Sequence, residues 1–140
     1  MTSPSIGPLR QPRRRGLVVC DMKTLVLGAS TNPDRYSNIA TLRLLKHGHE
    51  VVLVGNREGT IEGNTIETAP VAVDDVDTVT LYLGPARQTA YYDYLVDELK
   101  PRRIIFNPGT ENAELRDRAA SAGIETDYAC TLVMLGSGTF

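Results

Sequence analysis

A chain of 140 residues suits one domain with a hydrophobic core of its own. Hydrophobic residues make up 41% and charged residues 23%, which is ordinary globular composition. Residues 1–21 carry four arginines and one aspartate, net +3, while the other eleven basic and sixteen acidic side chains give the rest a net charge of −5. An acidic body argues against binding to duplex DNA. Sparse aromatic residues without tryptophan argue against binding single-stranded nucleic acid.

Two features indicate a cytoplasmic protein that does not enter a membrane. Cys20 and Cys130 are too few for a disulfide framework and fit a reducing compartment. No apolar run approaches the ~20 residues of a membrane-spanning helix.

Residues 1–21 contain three prolines and an arginine run without periodicity, which predicts a disordered basic leader. Met22, directly before the first strand, is an alternative start.

Strands and helices alternate through residues 22–140. Short apolar runs predict strands at 24–27, 50–54, 77–83, 103–106 and 124–126. Helical spacing predicts a helix at 38–47 capped by Ser37, a second at 86–99, and a third that begins after Thr110 and runs to about Gly123. The Gly-rich stretch 55–70 fits either a small hairpin or a short helix, and an apolar tail follows at 130–135.

This alternation predicts a single α/β domain over residues 22–140. We expect a Rossmann-like, doubly wound, parallel sheet of five strands in the order 3-2-1-4-5, with helices on both faces. Sheets of this kind bind ligands beyond the carboxyl ends of their strands, where the strand order reverses.

The loop after the first strand carries the clearest binding signal. Gly28 allows a tight turn and close approach to a ligand. Ser30, Ser37 and the free amides at the helix start suit an anion, and Arg35 adds a phosphate donor. The spacing is neither the dinucleotide fingerprint nor a P-loop. An ordinary loop with a good helix cap is the equally weighted alternative.

The end of the second strand points to a phosphorylated ribose. An NAD site needs an acidic residue there for the ribose hydroxyls, but the chain has Asn56 and Arg57. Arginine suits the ribose phosphate of CoA or NADP. The alternative is that Arg57 is a solvated loop residue.

The segment containing Gly28-Ala29-Ser30, Asn32-Pro33 and Arg35-Tyr36-Ser37 resembles the opening of the CoA-binding domain family. Those small proteins are similar to the N-terminal domain of the succinyl-CoA synthetase α subunit. The resemblance extends over about residues 22–140 through further matches, among them His47-Gly48-His49, Gly63, Phe106-Asn107-Pro108-Gly109, Ala122-Gly123 and Cys130.

This resemblance implies that coenzyme A is the ligand. Its phosphates would face Gly28, Ala29, Ser30, Arg35, Tyr36 and Ser37, and its adenosine would meet Val54, Gly55, Asn56 and Arg57. Family members often have Asn-Pro-Lys after the second strand, where this chain has Gly55-Asn56-Arg57. The synthetases use a phosphorylated histidine in a further domain, whereas this chain has only His47 and His49, near the far end of the first helix. Their catalysis therefore does not carry over.

Other candidate residues have ordinary structural explanations. Residues 107–110 could line the pantetheine channel, but a tight turn is the preferred interpretation. Cys130 would lie near the thiol end of the ligand if the resemblance holds, although a free cysteine is more often a small buried side chain. Three hypotheses follow: non-catalytic binding of CoA or acyl-CoA as a sensor or regulatory module, an NADP-binding enzyme, and a ligand-free protein-interaction domain.

Overall fold

Seven strands and four α-helices make up the part of the chain that is described. The structure is a computed structural model and describes residues 23–140, so the predicted leader lies outside it. The strands are β1 (Lys23–Leu27), β2 (Glu50–Val54), β3 (Gly59–Ile61), β4 (Asn64–Glu67), β5 (Val76–Leu81), β6 (Arg103–Phe106) and β7 (Glu125–Tyr128). The helices are α1 (Tyr36–Lys46), α2 (Pro85–Gln88), α3 (Ala113–Ser121) and α4 (Thr131–Ser137).

The strands form one sheet in the order β3-β4-β2-β1-β5-β6-β7. Every neighbouring pair is parallel except the β3–β4 hairpin. The predicted α/β class with a mainly parallel sheet is confirmed, but the prediction of five strands ordered 3-2-1-4-5 is wrong. The third predicted strand is β5, which pairs with β1 and not with β2. The place beside β2 is taken by β4, from the Gly-rich stretch.

Strand β1 and the five strands that run parallel to it follow a known order. Numbered by themselves along the chain, they lie as 3-2-1-4-5-6, the order of dinucleotide-binding sheets. The order reverses between β1 and β5. The carboxyl ends of these two strands are therefore where a ligand is expected.

Several element boundaries differ from the sequence expectation. Helix α1 begins at Tyr36, and Ser37 lies inside its first turn and does not cap it. The cap of α3 is Asn112, whose side chain accepts a hydrogen bond from the Leu115 amide, and not Thr110. The predicted helix 86–99 is α-helical only through α2. It continues as a 3-10 turn at Thr89–Tyr91 and a π-helical segment at Tyr94–Leu99.

Helices cover both faces of the sheet. Because side chains alternate along a strand, β1 sends Leu25 and Leu27 to one face and Val26 to the other. The first face packs on Leu95 and on α3, and the second packs on α1 and α4. Each fully buried leucine contributes roughly 1.5–3 kcal/mol by leaving water. The buried sheet thus holds the loops at its carboxyl edge in fixed positions.

Candidate functional site

A cleft of about 520 Å³ crosses the carboxyl edge of the sheet. Its lining comes from the loops that follow β1, β2, β5 and β6. Adjacent strands are about 4.8 Å apart, so these four strand ends span about 14 Å. The cleft therefore has the shape for an elongated ligand that lies across the strand ends.

The loop after β1 begins with a glycine whose backbone lies against the residue that follows β5. Gly28 has φ of +103°, and a Cβ atom there would lie 3.0 Å from the carbonyl carbon of Tyr82. The amides of Gly28 and Ala29 both donate to the carbonyl of Val54, at 2.8 and 2.9 Å. The predicted requirement for glycine at position 28 thus has two causes, the backbone conformation and the close contact.

Side-chain hydrogen bonds fix the shape of the rest of this loop. The amide of Asn32 donates to Ser30 Oγ at 3.1 Å, and the amide of Asp34 donates to Asn32 Oδ1 at 2.9 Å. Asn38 Nδ2, from the first turn of α1, donates to the Ser30 carbonyl at 2.9 Å. These hydrogen bonds within the loop and to α1 give the loop a defined shape.

The start of α1 opens into the cleft. Arg35, Tyr36 and Ser37 line the cleft there, and no side chain caps the first turn of the helix. The first amides of a helix lack partners within the helix and carry partial positive charge, so this end suits an anion. Tyr36 is 71% exposed, which leaves its ring free for contact with a ligand.

The four residues predicted to contact adenosine lie at the end of β2 and form two pairs with different surroundings. Asn56 and Arg57 line the cleft. Val54 and Gly55 are buried and do not, since the Val54 side chain belongs to the core. A Cβ atom on Gly55 would collide with the carbonyl oxygen of Ala29, so glycine here lets the two loops lie side by side. Val54 and Gly55 therefore hold the two loops together from behind and do not face the cleft.

One wall of the far half of the cleft comes from residues that the sequence did not single out as a site. Tyr82, Leu83, Gly84 and Arg87 follow β5. The only signal that would have found them is their position after a strand next to β1.

The opposite wall of this half is the loop after β6. It consists of Pro108, Gly109 and Thr110. The predicted turn is confirmed, because the Thr110 amide and hydroxyl both bond to the Asn107 carbonyl.

Asn107 holds that loop from below. It is 2% exposed, and its Nδ2 donates to Thr80 Oγ1 at 2.7 Å and to the Leu81 carbonyl at 2.9 Å. Its Oδ1 accepts from the amide of Thr131 at 2.8 Å. This one side chain therefore joins β5, the β6 loop and the start of α4.

The charge of the lining is entirely positive among the described residues. Arg35, Arg57 and Arg87 lie on it, and no aspartate or glutamate does. None of the three guanidinium groups forms an ion pair within residues 23–140. A cleft with three unpaired cations on an otherwise acidic domain attracts an anionic ligand.

Comparison with known proteins agrees with this geometry. The profile of a family described as CoA binding domain matches residues 22–136. The chain belongs to this family.

Solved structures share the fold of this CoA binding domain. An uncharacterized protein is 48% identical, with a TM-score of 0.83 over 86% of this chain and 98% of its own. A conserved hypothetical protein from Pyrococcus furiosus is 30% identical, with a TM-score of 0.70 over 81% of this chain and 97% of its own. A protein from Thermus thermophilus, 18% identical, has a TM-score of 0.75 over 86% of this chain and 91% of its own. A search of curated proteins finds no relative.

Tyr82, on the cleft lining of the CoA binding domain, and the nearby Cys130 are titratable. Burial raises the pKa of Tyr82 to about 12, so its hydroxyl stays protonated at neutral pH. Cys130 is half-buried at the start of α4 and does not line the cleft. Within residues 23–140 no three histidine, cysteine or acidic side chains are grouped to hold a metal ion, and no helix is long and apolar enough to cross a membrane.

Proposed function

We propose that the chain binds coenzyme A or an acyl-CoA in this cleft, as a sensor or regulatory module without catalysis of its own. The observation that carries the proposal is that the described lining has three arginines without an ion-pair partner among residues 23–140 and has no carboxylate. Coenzyme A is elongated and carries a diphosphate and a ribose phosphate, which match a long, positively charged cleft. Membership of the CoA binding domain family supports the same ligand.

The diphosphate would lie over the β1 loop and the start of α1. Gly28, Ala29 and Ser30 would offer a close backbone approach, and Arg35, Tyr36 and Ser37 would face the phosphate oxygens from the helix end. The hydrogen bonds that order this loop reduce the entropy lost on binding.

The adenosine would lie at the end of β2. Asn56 and Arg57 would contact it directly, and the buried Val54 and Gly55 would hold the loop in place behind them. Arg57 would pair with the ribose 3′-phosphate. The pantetheine arm would then cross the ends of β1 and β5 toward the β6 loop.

The composition of the lining supports a role in binding and not in catalysis. No histidine, cysteine or carboxylate lies on the described lining, so a nucleophile with an adjacent base is missing there. Such a module would act by changing its conformation or its protein partner when the ligand binds.

NADP is the second candidate, because Arg57 at the end of β2 suits its ribose phosphate equally well. Mass spectrometry of the small molecule released from heat-denatured purified protein separates the candidates. A mass of CoA or an acyl-CoA supports the proposal, and a mass of NADP refutes it. If nothing is released, calorimetric titration with CoA and with NADPH decides, and no binding of either would favour a protein-interaction domain.

A further inference from the structure

Arg87 is a cleft cation with no part in the phosphate and adenosine contacts proposed above. It follows β5, whereas Arg57 follows β2, and β1 lies between these strands. At about 4.8 Å per strand, the two strand ends are about 10 Å apart. Arg87 is exposed and forms no ion pair within the described residues. Its charge is therefore available at the end of the cleft away from the adenosine.

The backbone that carries Arg87 is fixed by the next residue. Gln88 is fully buried, and its Nε2 donates to the carbonyls of Leu83 and Thr110, both at 2.8 Å. Its Oε1 accepts from Asn112 Nδ2 at 3.0 Å. Gln88 thus ties the β5 loop to the β6 loop. Arg87, one position earlier on α2, is held at the junction of the two loops.

Arg87 is the only charged side chain that the β5 and β6 loops contribute to the described cleft lining. Leu83 and Pro108 present apolar surface, and Gly84 and Gly109 have no side chains. An uncharged pantetheine arm suits such a channel. The arm has no charged group that could pair with the Arg87 guanidinium. A carboxylate placed beyond the thioester would pair with it in the two-pronged geometry that arginine favours.

We propose that Arg87 binds the terminal carboxylate of a dicarboxylic acyl group, so that the cleft selects acidic acyl-CoA thioesters over neutral ones. This inference rests on the proposed function, because it takes the adenosine of CoA to lie at the end of β2.

Calorimetric titration with matched thioesters tests this selection. Malonyl-, succinyl- and glutaryl-CoA are each compared with the neutral acyl-CoA of the same carbon number, namely propionyl-, butyryl- and pentanoyl-CoA. The wild-type chain should bind at least one acidic thioester about tenfold more tightly than its neutral partner. Arg87→Gln should bring that ratio close to one, and Arg87→Lys should keep part of it. Arg43→Gln, an exposed arginine at the end of α1 outside the cleft, should keep the full ratio.

Three results separate the ways in which this inference could fail. If CoA itself binds but no acidic thioester is preferred, the inference about Arg87 is overturned and the proposed function stands. If Arg87→Gln weakens CoA and all six thioesters by the same factor, Arg87 contacts the phosphates instead, which also overturns it. If the wild-type chain binds neither CoA nor any of the six thioesters, the proposed function itself is refuted.

Discussion

Gly28 lies against the backbone of Tyr82, where a Cβ atom on residue 28 would be 3.0 Å from the Tyr82 carbonyl carbon. The contact joins the turn after β1 to the turn after β5, at the point where the strand order reverses. Any side chain at residue 28 must push these two turns apart. The width of the cleft at its centre is therefore set by the absence of a side chain.

Gly28→Ala should destabilise the fold and weaken CoA binding. Gly63→Ala is the matched control, because Gly63 also has positive φ but has no atom within 4 Å of a Cβ and lies outside the cleft. Both changes carry a backbone cost of about 1–2 kcal/mol. Gly28→Ala adds a steric cost of about 1–3 kcal/mol. Urea unfolding and calorimetry measure both effects. Equal stability of the two variants, with unchanged CoA affinity in both, would refute the role assigned to this contact.

The ribose phosphate contact can be tested with two ligands. Wild type should bind CoA about tenfold or more tightly than dephospho-CoA, because hydrogen bonds to a charged group are worth about that much. Arg57→Ala should erase most of this preference, and Arg43→Ala, outside the cleft, should retain it. Titration of both ligands against all three proteins gives the double-mutant cycle. Equal CoA affinity in wild type and Arg57→Ala would show that the 3′-phosphate lies elsewhere.

Asn107→Ala should lower the free energy of unfolding by about 2–4 kcal/mol, because three buried hydrogen bonds are lost. Asn64→Ala serves as the control. Its amide makes two longer bonds of 3.2 Å in the β3–β4 turn, so its loss should cost less than about 1 kcal/mol. Urea unfolding followed by circular dichroism measures both. A cost at Asn107 no larger than that at Asn64 would rule out the proposed support of the cleft wall.

Asp77 gives the fold a pH-dependent contribution. Burial alone would raise the pKa of Asp77, but hydrogen bonds from Arg102 and Thr78 lower it below the ordinary value of 3.8. A pKa that is lower in the folded state means stabilisation that is present above pH 3.8 and lost as the pH falls through the folded value. Arg102 is half-exposed, so the contribution is about 1 kcal/mol or less.

Asp77→Asn should therefore lower the free energy of unfolding at pH 7. The difference in this free energy between the variant and wild type should shrink below about pH 4. Asp117→Asn, at an exposed pair with Arg116, should change stability less at pH 7. Urea midpoints measured from pH 3 to pH 7 provide the comparison. A difference that stays constant across this range would contradict the assignment.

Strands with continuous apolar runs could be predicted from the sequence. Strands β2 and β6 begin and end at the predicted residues, because their apolar residues are bounded by polar or Gly and Pro signals. The β3–β4 hairpin confirms one of the two alternatives for the stretch 55–70, but the sequence pattern does not show that β4 pairs with β2 in the main sheet. Strand β4 has four residues, and only Ile66 is buried. Without β4 in the sheet, the sequence predicts wrongly that the strand now called β5 lies beside β2.

The candidate site divides in a similar way. The near half of the cleft follows from Gly28 and the residues after it, since one loop and the neighbouring strand end supply it. Tyr82 and Arg87 come from more than fifty positions further along the chain and belong to no motif. They line the cleft only because β5 pairs with β1. The sequence also does not show which residues at the end of β2 face the cleft. The local backbone geometry decides this, because it places Arg57 on the lining and buries Val54.

The central position of β1 has a consequence for how the chain folds. Thr24 pairs with Val51 on one side and Thr78 on the other, so the partners of β1 are 27 and 54 positions further along the chain. Loop-closure entropy must be lost before these parallel pairings form, and such non-local contacts slow folding. During synthesis β1 emerges before both partners. One edge of its apolar segment 25–27 therefore stays unpaired until β5 is available, and unpaired strand edges favour aggregation in a slow-folding chain.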